Sequence, residues 1–173
     1  MPGEFPIAPL VGVGAVVLDD QQRILLIRRA QEPLQGEWSL PGGRLELGER
    51  LEEGVRREVR EETGLEVHPE EIVTVFDHIS HADKDPAQIR FHYVLIDYRC
   101  RLLGGNLESA SDATDARWVT WTELNGHSAY AVRPFTLSVI RKALEQLKIL
   151  DPPRVVGQID ETPARASGQE LAQ

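Results

Sequence analysis

Residues Gly43–Leu65 read GRLELGERLEEGVRREVREETGL. The composition of Arg50–Thr63 favours a helix, and Gly64 stands where a C-terminal cap belongs. At about 100° per residue with Leu51 at zero, Leu51, Val55 and Val59 fall near 0°, 40° and 80°, an apolar stripe. Glu52, Glu53, Arg56 and Arg60 fall between about 100° and 200°, on a solvated face. Glu58 and Glu62 fall near 340° and 20°, at the edge of the stripe, and Glu61 lies near 280°. A helix built only for solubility would carry these three carboxylates on its other side. Glu58 and Glu62 are also a like-charge i,i+4 pair, which costs about 0.2–0.5 kcal/mol on an exposed helix and more where water is scarce. Such a cluster needs raised proton affinity or a cation. With no Cys or His beside them, these oxygen ligands suit a hard ion, Mg²⁺ or Mn²⁺. A purely charged surface face fits the i,i+4 pairs Glu52–Arg56 and Glu53–Arg57, but not the later trio.

The rest of the chain limits the classes of function. Its 173 residues hold 28 acidic and 19 basic side chains, a net charge of −9. That sign argues against sequence-independent nucleic-acid binding and against anionic membrane surfaces. The single cysteine, Cys100, excludes an intrachain disulfide. The best apolar run, Leu10–Leu18, is too short to cross a bilayer, and MPGEFPIAPL lacks the form of a signal peptide. The expectation is a cytoplasmic protein with no nucleic-acid or membrane partner.

Prolines at 2, 6 and 9 mark residues 1–8 as an irregular lead-in to one domain over 9–150. Leu10–Leu18 and Arg23–Arg29 read as strands joined in a hairpin, and Gln31–Gly43 as loop. Ile72–Ile79 and Ile89–Arg99 read as strands separated by a polar loop, Ser80–Gln88. Gly104-Gly105 reads as a turn, Glu108–Asp115 as an acidic loop and Arg117–Trp121 as a short strand. Pro134–Leu150 is an amphipathic helix with Phe135, Val139, Ile140, Ala143, Leu144 and Leu147 on one stripe. Residues 151–173, rich in Pro, Gly and polar side chains, read as a flexible tail. The class is α/β with a mixed sheet.

The spacing in the helix segment carries a resemblance. Gly43 is followed after five residues by Glu49. Seven residues later come Arg57-Glu58-Val59, then Glu61-Glu62 and Gly64-Leu65. This is similar to the Nudix box, G-x5-E-x7-R-E-U-x-E-E-x-G-U, at every fixed position. WSLPGG, Trp38–Gly43, resembles the family's approach to the box. Gly54, where Ala is usual, is a soft departure, costing about 1 kcal/mol in a helix interior unless close packing requires it.

The resemblance implies a Nudix α/β/α sandwich with a mixed central sheet, and hydrolysis of a nucleoside diphosphate linked to another moiety. It implies Mg²⁺, with Mn²⁺ as a substitute, held by Glu58, Glu62, Glu61 and the carbonyl of Gly42. Gly43, Glu49, Arg57 and Gly64 take structural roles in the motif. The base lies in the box, at Glu61 or Glu58, or in the later acidic loop, where Glu108, Asp112 and Asp115 are candidates. Arg28, Arg29 and Arg44 flank the loop before the box and are of a type that clamps phosphates. Trp38, Phe76 and Tyr93 are of a type that stacks on a base or supports a pocket floor. His78, His81 and His92 show no metal-ligand spacing. Gly12 and Gly14 lack the third glycine of a dinucleotide fingerprint. HYVLIDYRC and DATDARWVTWTEL resemble the ADP-ribose pyrophosphatase-like group, so the expected small-molecule nucleotide substrate is ADP-ribose or a related nucleotide sugar. Homodimers are common in that group. The rival readings are a pyrophosphatase of (oxidised) nucleoside triphosphates and a non-catalytic ligand-binding module.

Overall fold

The computed structural model describes residues 3–30, 34–109, 113–125 and 130–150. The expected tail, 151–173, lies outside them. Strand β1, Leu10–Leu18, runs through the centre of one mixed sheet. It pairs in parallel with β6, Asp85–Gly105, from Leu10 opposite Tyr93 to Leu18 opposite Arg101. β2, Ile24–Arg29, meets β1 at Leu18–Ile24 in the expected hairpin. The short strands β3, Trp38–Ser39, and β4, Gly42–Arg44, follow, with β4 antiparallel to β1 at Gly12–Gly14. Helix α1, Leu51–Thr63, leads into β5, Leu65–Ala82, which pairs with β6 at the sheet edge. β7, Ala113–Val119, pairs with β2. The short α2, Trp121–Asn125, and the longer α3, Pro134–Gln146, complete the described chain.

Alternation along the strands builds two cores. Val13, Ala15 and Val17 of β1, with Leu25, Ile96 and Tyr98, pack against Val55 and Val59 of α1. Val16, from the opposite face, packs with Val73 and with Val139 and Ala143 of α3. Ile24, Leu26, Trp38 and Val119 pack with Ile140 and Leu144 on that same side. Helices on both faces of a mixed sheet make the three-layer sandwich. Among the described residues, no helix is long and apolar enough to cross a membrane.

Several boundaries differ from the sequence reading. β5 begins at Leu65, because buried Leu65, Val67 and Pro69 alternate with exposed Glu66, His68 and Glu70. The polar stretch Ser80–Gln88 is mostly strand, and only Asp83 and Lys84 interrupt it. In a two-stranded arm, backbone pairing alone keeps polar residues extended. Gly104 and Gly105 end β6 opposite Glu66 and Leu65 rather than making a turn. Trp121 opens α2 instead of closing a strand. The lead-in is irregular but docked: Phe5 N donates to the Arg90 carbonyl at 2.8 Å, and Arg90 pairs with Glu4 at 2.9 Å. Gly54 is a close-packing position, since a Cβ there would sit 2.8 Å from Leu45 Cδ1 and 3.1 Å from Glu49 Oε2.

Candidate active site

Helix α1 begins after Arg50, whose N–H donates to Glu53 Oε2 at 3.0 Å. It ends at Gly64, in the left-handed region with φ 69°, where the Gly64 N–H donates to the Arg60 carbonyl. The apolar stripe is buried as the helical angles require, and it takes Glu62 with it, to 3% exposure. Glu62 Oε2 accepts a hydrogen bond from Gly42 N at 2.8 Å. Gly42 has φ +153°, and a Cβ there would collide with the Val13 carbonyl, so β4 approaches β1 this closely only with glycine. Gly43 lies against Glu58, and a Cβ on it would come 2.5 Å from Glu58 Oε1. Two carboxylates one helical turn apart thus lie against consecutive glycines of β4, Glu62 bonded to Gly42 and Glu58 packed beside Gly43.

Arg57 organises the rest. Its Nε and Nη2 grip Glu49 at 2.8 and 2.9 Å, a bidentate pair. Nη2 also donates to the Arg44 carbonyl at 3.1 Å, which ties the loop before the helix to the helix itself. Nη1 donates to Glu58 Oε1 at 2.8 Å and to Glu61 Oε2 at 3.3 Å. Arg57 holds the Glu49 carboxyl below its ordinary range. Burial pushes Glu58 up, and this outweighs the opposing pull of Arg57. Glu61 is the exposed member of the trio, with 47% of its side chain open to solvent.

The three carboxylates lie on one end of α1 but do not converge. Glu62 turns to Gly42, and Glu58 and Glu61 turn to Arg57. Among the described residues, no three acidic, His or Cys side chains are arranged as a ready metal cluster. The donor chemistry nevertheless fits a hard divalent cation: oxygen ligands only, two of them withdrawn from water, on a backbone that glycine leaves unobstructed.

The other predicted residues divide by sheet face. Arg28 lies opposite Trp38, and its Nε donates to the Gly36 carbonyl at 3.0 Å, bracing that loop. Trp38 is core, edge-on to Tyr130 at 5.1 Å with Arg117 over its ring at 5.8 Å, so it supports rather than stacks. Arg44 is exposed and contributes its carbonyl to Arg57. Phe76 packs against Phe135 with ring centroids 3.7 Å apart and planes tilted by 38°, and the Tyr93 hydroxyl lies at Gly3. Glu108 has an exposed side chain, but its N–H donates to the Thr63 carbonyl at 3.0 Å, fixing it at the end of α1. Asp115 pairs with Arg117 at 2.9 Å. Asp112 lies outside the described residues.

Sequence reasoning missed one polar group near this end of the sheet. Ser39 pairs with Ile27, and by alternation both share with Arg29 the face of Leu25, which packs towards α1. Ser39 Oγ and Arg29 Nε are buried and have no hydrogen-bond partner among the described residues. Strand parity, counted from Leu25, distinguishes Arg29 from Arg28.

Comparison with known proteins agrees with this arrangement. A family model described as the NUDIX domain matches residues 8–143. The ADP-ribose pyrophosphatase of Methanocaldococcus jannaschii is 38% identical over 110 residues, 64% of this chain and 61% of the relative. The 8-oxo-dGDP phosphatase of Homo sapiens is 35% identical over 114 residues, 64% of this chain and 32% of the relative. The chain thus spans less than two thirds of either relative. A MutT protein from Methanosarcina mazei shares the fold, with a TM-score of 0.66, 22% identity, and coverage of 83% of this chain and 99% of that one. With the family model covering the sheet, the box helix and most of α3, the chain belongs to the Nudix family, whose members are pyrophosphatase hydrolases.

Proposed function

We propose that this protein is a divalent-metal-dependent hydrolase that cleaves the pyrophosphate of a nucleoside diphosphate linked to another moiety, ADP-ribose or a related nucleotide sugar. The observation that carries this reading is the pair of withdrawn carboxylates, Glu58 and Glu62, set one helical turn apart against the Gly42–Gly43 backbone. The kinship to an ADP-ribose pyrophosphatase supports the choice of substrate. The kinship to an 8-oxo-dGDP phosphatase keeps an oxidised nucleotide as the second reading.

Glu58, Glu61, Glu62 and the Gly42 carbonyl would hold Mg²⁺ or Mn²⁺. When bound, such an ion neutralises phosphate charge and lowers the pKa of water. The chain's own residues do the remainder. Arg57 keeps Glu58 and the loop in register with the helix, through Glu49 and the Arg44 carbonyl. Glu61, the exposed carboxylate, takes the proton of the attacking water at its Oε, with Glu108 next in order. The acidic composition, −9 overall, suits a cytoplasmic enzyme whose site brings its own positive charge.

The test is phosphate release with Mg²⁺ on ADP-ribose, nucleotide sugars, dinucleoside polyphosphates and oxidised nucleotides, for the wild type and Glu62→Gln. Turnover of an ADP-ribose-type substrate is expected, falling at least about a hundredfold in the variant while melting stays near wild type. Unchanged turnover in Glu62→Gln removes Glu62 from the site.

A further inference from the structure

A third carboxylate stands close to the Gly42 backbone, on the other side of the sheet. Ile96, Tyr98 and Cys100 of β6 pack under α1. Asp97, between them, therefore points to the α3 side. It is 7% exposed, and among the described residues it has no hydrogen-bond or ion-pair partner. The nearest cation along the strand, Arg99, is engaged by Glu70 and Glu71. Burial alone pushes the Asp97 carboxyl up to about 6. A fold gains nothing in stability from an unpaired buried acid.

Its placement suggests what it is for. Asp97 pairs in register with Gly14 of β1, and Gly14 pairs with Gly42 of β4. The Asp97 carboxylate lies over Gly14, where any Cβ would collide with Oδ1, and the Pro41 carbonyl is 3.9 Å from that same point. Glycine at position 14 thus lets the carboxylate lean towards the Pro41–Gly42 turn, whose N–H is held by Glu62. Adjacent strands are about 5 Å apart, so Asp97 lies on the order of one to two strand spacings from the Gly42 backbone. That is the distance from a bound phosphate to the group attached to it. A carboxylate repels phosphate, so the partner it can accept from is a hydrogen-bond donor beside the diphosphate.

We propose that Asp97 is a specificity-determining residue that accepts a hydrogen bond from the non-phosphate part of the substrate, a base N–H or a sugar hydroxyl. This rests on the pyrophosphatase reading above. Asp97 competes with no catalytic role, because it carries no contact to the box glutamates.

The test compares wild type and Asp97→Leu, which leaves no acceptor at this position, on ADP-ribose, on the analogue whose base amine is replaced by a carbonyl, and on the 2′-deoxy analogue. Melting is recorded in parallel. The expected result is a rise in KM of at least about tenfold for ADP-ribose, with kcat changed much less and melting no lower than wild type. One analogue should lose a similar factor with the wild type and no further factor with the variant. The amine analogue assigns the donor to the base, and the deoxy analogue assigns it to the sugar. A kcat/KM within twofold of wild type on every substrate, or neither analogue behaving this way, overturns the proposal. So does a fall in melting of many degrees, which would reveal a structural partner. If the wild type turns over none of these compounds, the choice of ADP-ribose as substrate fails first, and the hydrolase reading passes to the wider panel above. Calorimetry with ADP-ribose and Mn²⁺ then decides Asp97: no binding, or equal binding by both proteins, rejects it.

Discussion

At the residue scale the site is a set of charges that only make sense together. Arg57 contacts Glu49, Glu58, Glu61 and the Arg44 carbonyl, with 18% of its side chain exposed. Removing it leaves partly buried carboxylates facing one another, so Arg57→Ala is expected to cost about 2 kcal/mol in chemical unfolding. Arg57→Lys should recover little of this, because an ammonium cannot reproduce the two-pronged grip on Glu49. Full recovery by Lys would show that charge alone matters.

Asp97 gives a pH signature at the same scale. Its carboxyl moves from 3.8 to about 6 on folding, which corresponds to at most about 3 kcal/mol. The folded state holds this proton up to about pH 6, whereas the unfolded state releases it near 4. Stability from this group is therefore full below the unfolded value, declines as pH rises towards 6, and stays lost above. Asp97→Asn should raise Tm over wild type by several degrees at pH 7.5 and by little at pH 4. An equal difference at both pH values contradicts the burial argument. The signal for Asp97 was present in the sequence, as one acid inside the apolar run VLIDY, yet only the register showed Gly14 and the Gly42 loop beside it. Glu58 and Glu62, by contrast, were legible from helical angles, because 3.6-residue periodicity sets which side chains follow Val55 and Val59 inward.

At the scale of elements, legibility followed how much each segment depends on its own periodicity. Strand β1 and helix α1 carry long local patterns, and their bounds matched the reading within a residue. β3 and β4 are two and three residues long and exist by pairing with β2 and β1, which no local window reveals. α2, with five residues, is too short for a helical stripe. The β5–β6 arm is the largest departure. β1 accompanies β6 only from Tyr93 onward, so beyond it the arm has two strands, held otherwise by the lead-in at Arg90. Two-stranded hairpins are marginal in water. Amide exchange over Ser80–Gln88 is expected to be at least about a hundredfold faster than over Val13–Val17. Comparable protection in the arm would mean that another chain covers it in solution, as a homodimer built on this edge would do.

At the scale of the molecule, the sandwich brings a helix from one face and a strand from the other to a single glycine turn. α1 supplies Glu58 and Glu62 to Gly42 and Gly43, and β6 supplies Asp97 across Gly14. A global charge of −9 repels an anionic diphosphate, so under the proposed function the site would need divalent cations to receive one. The central claim is that Glu58 and Glu62 hold those cations, and Mn²⁺ binding measured by electron paramagnetic resonance tests it without any assumption about substrate. The wild type is expected to bind Mn²⁺, and Glu58→Gln/Glu62→Gln to bind it at least about tenfold more weakly while remaining folded. Equal Mn²⁺ affinity in the two proteins, or no binding by the wild type, would contradict the account.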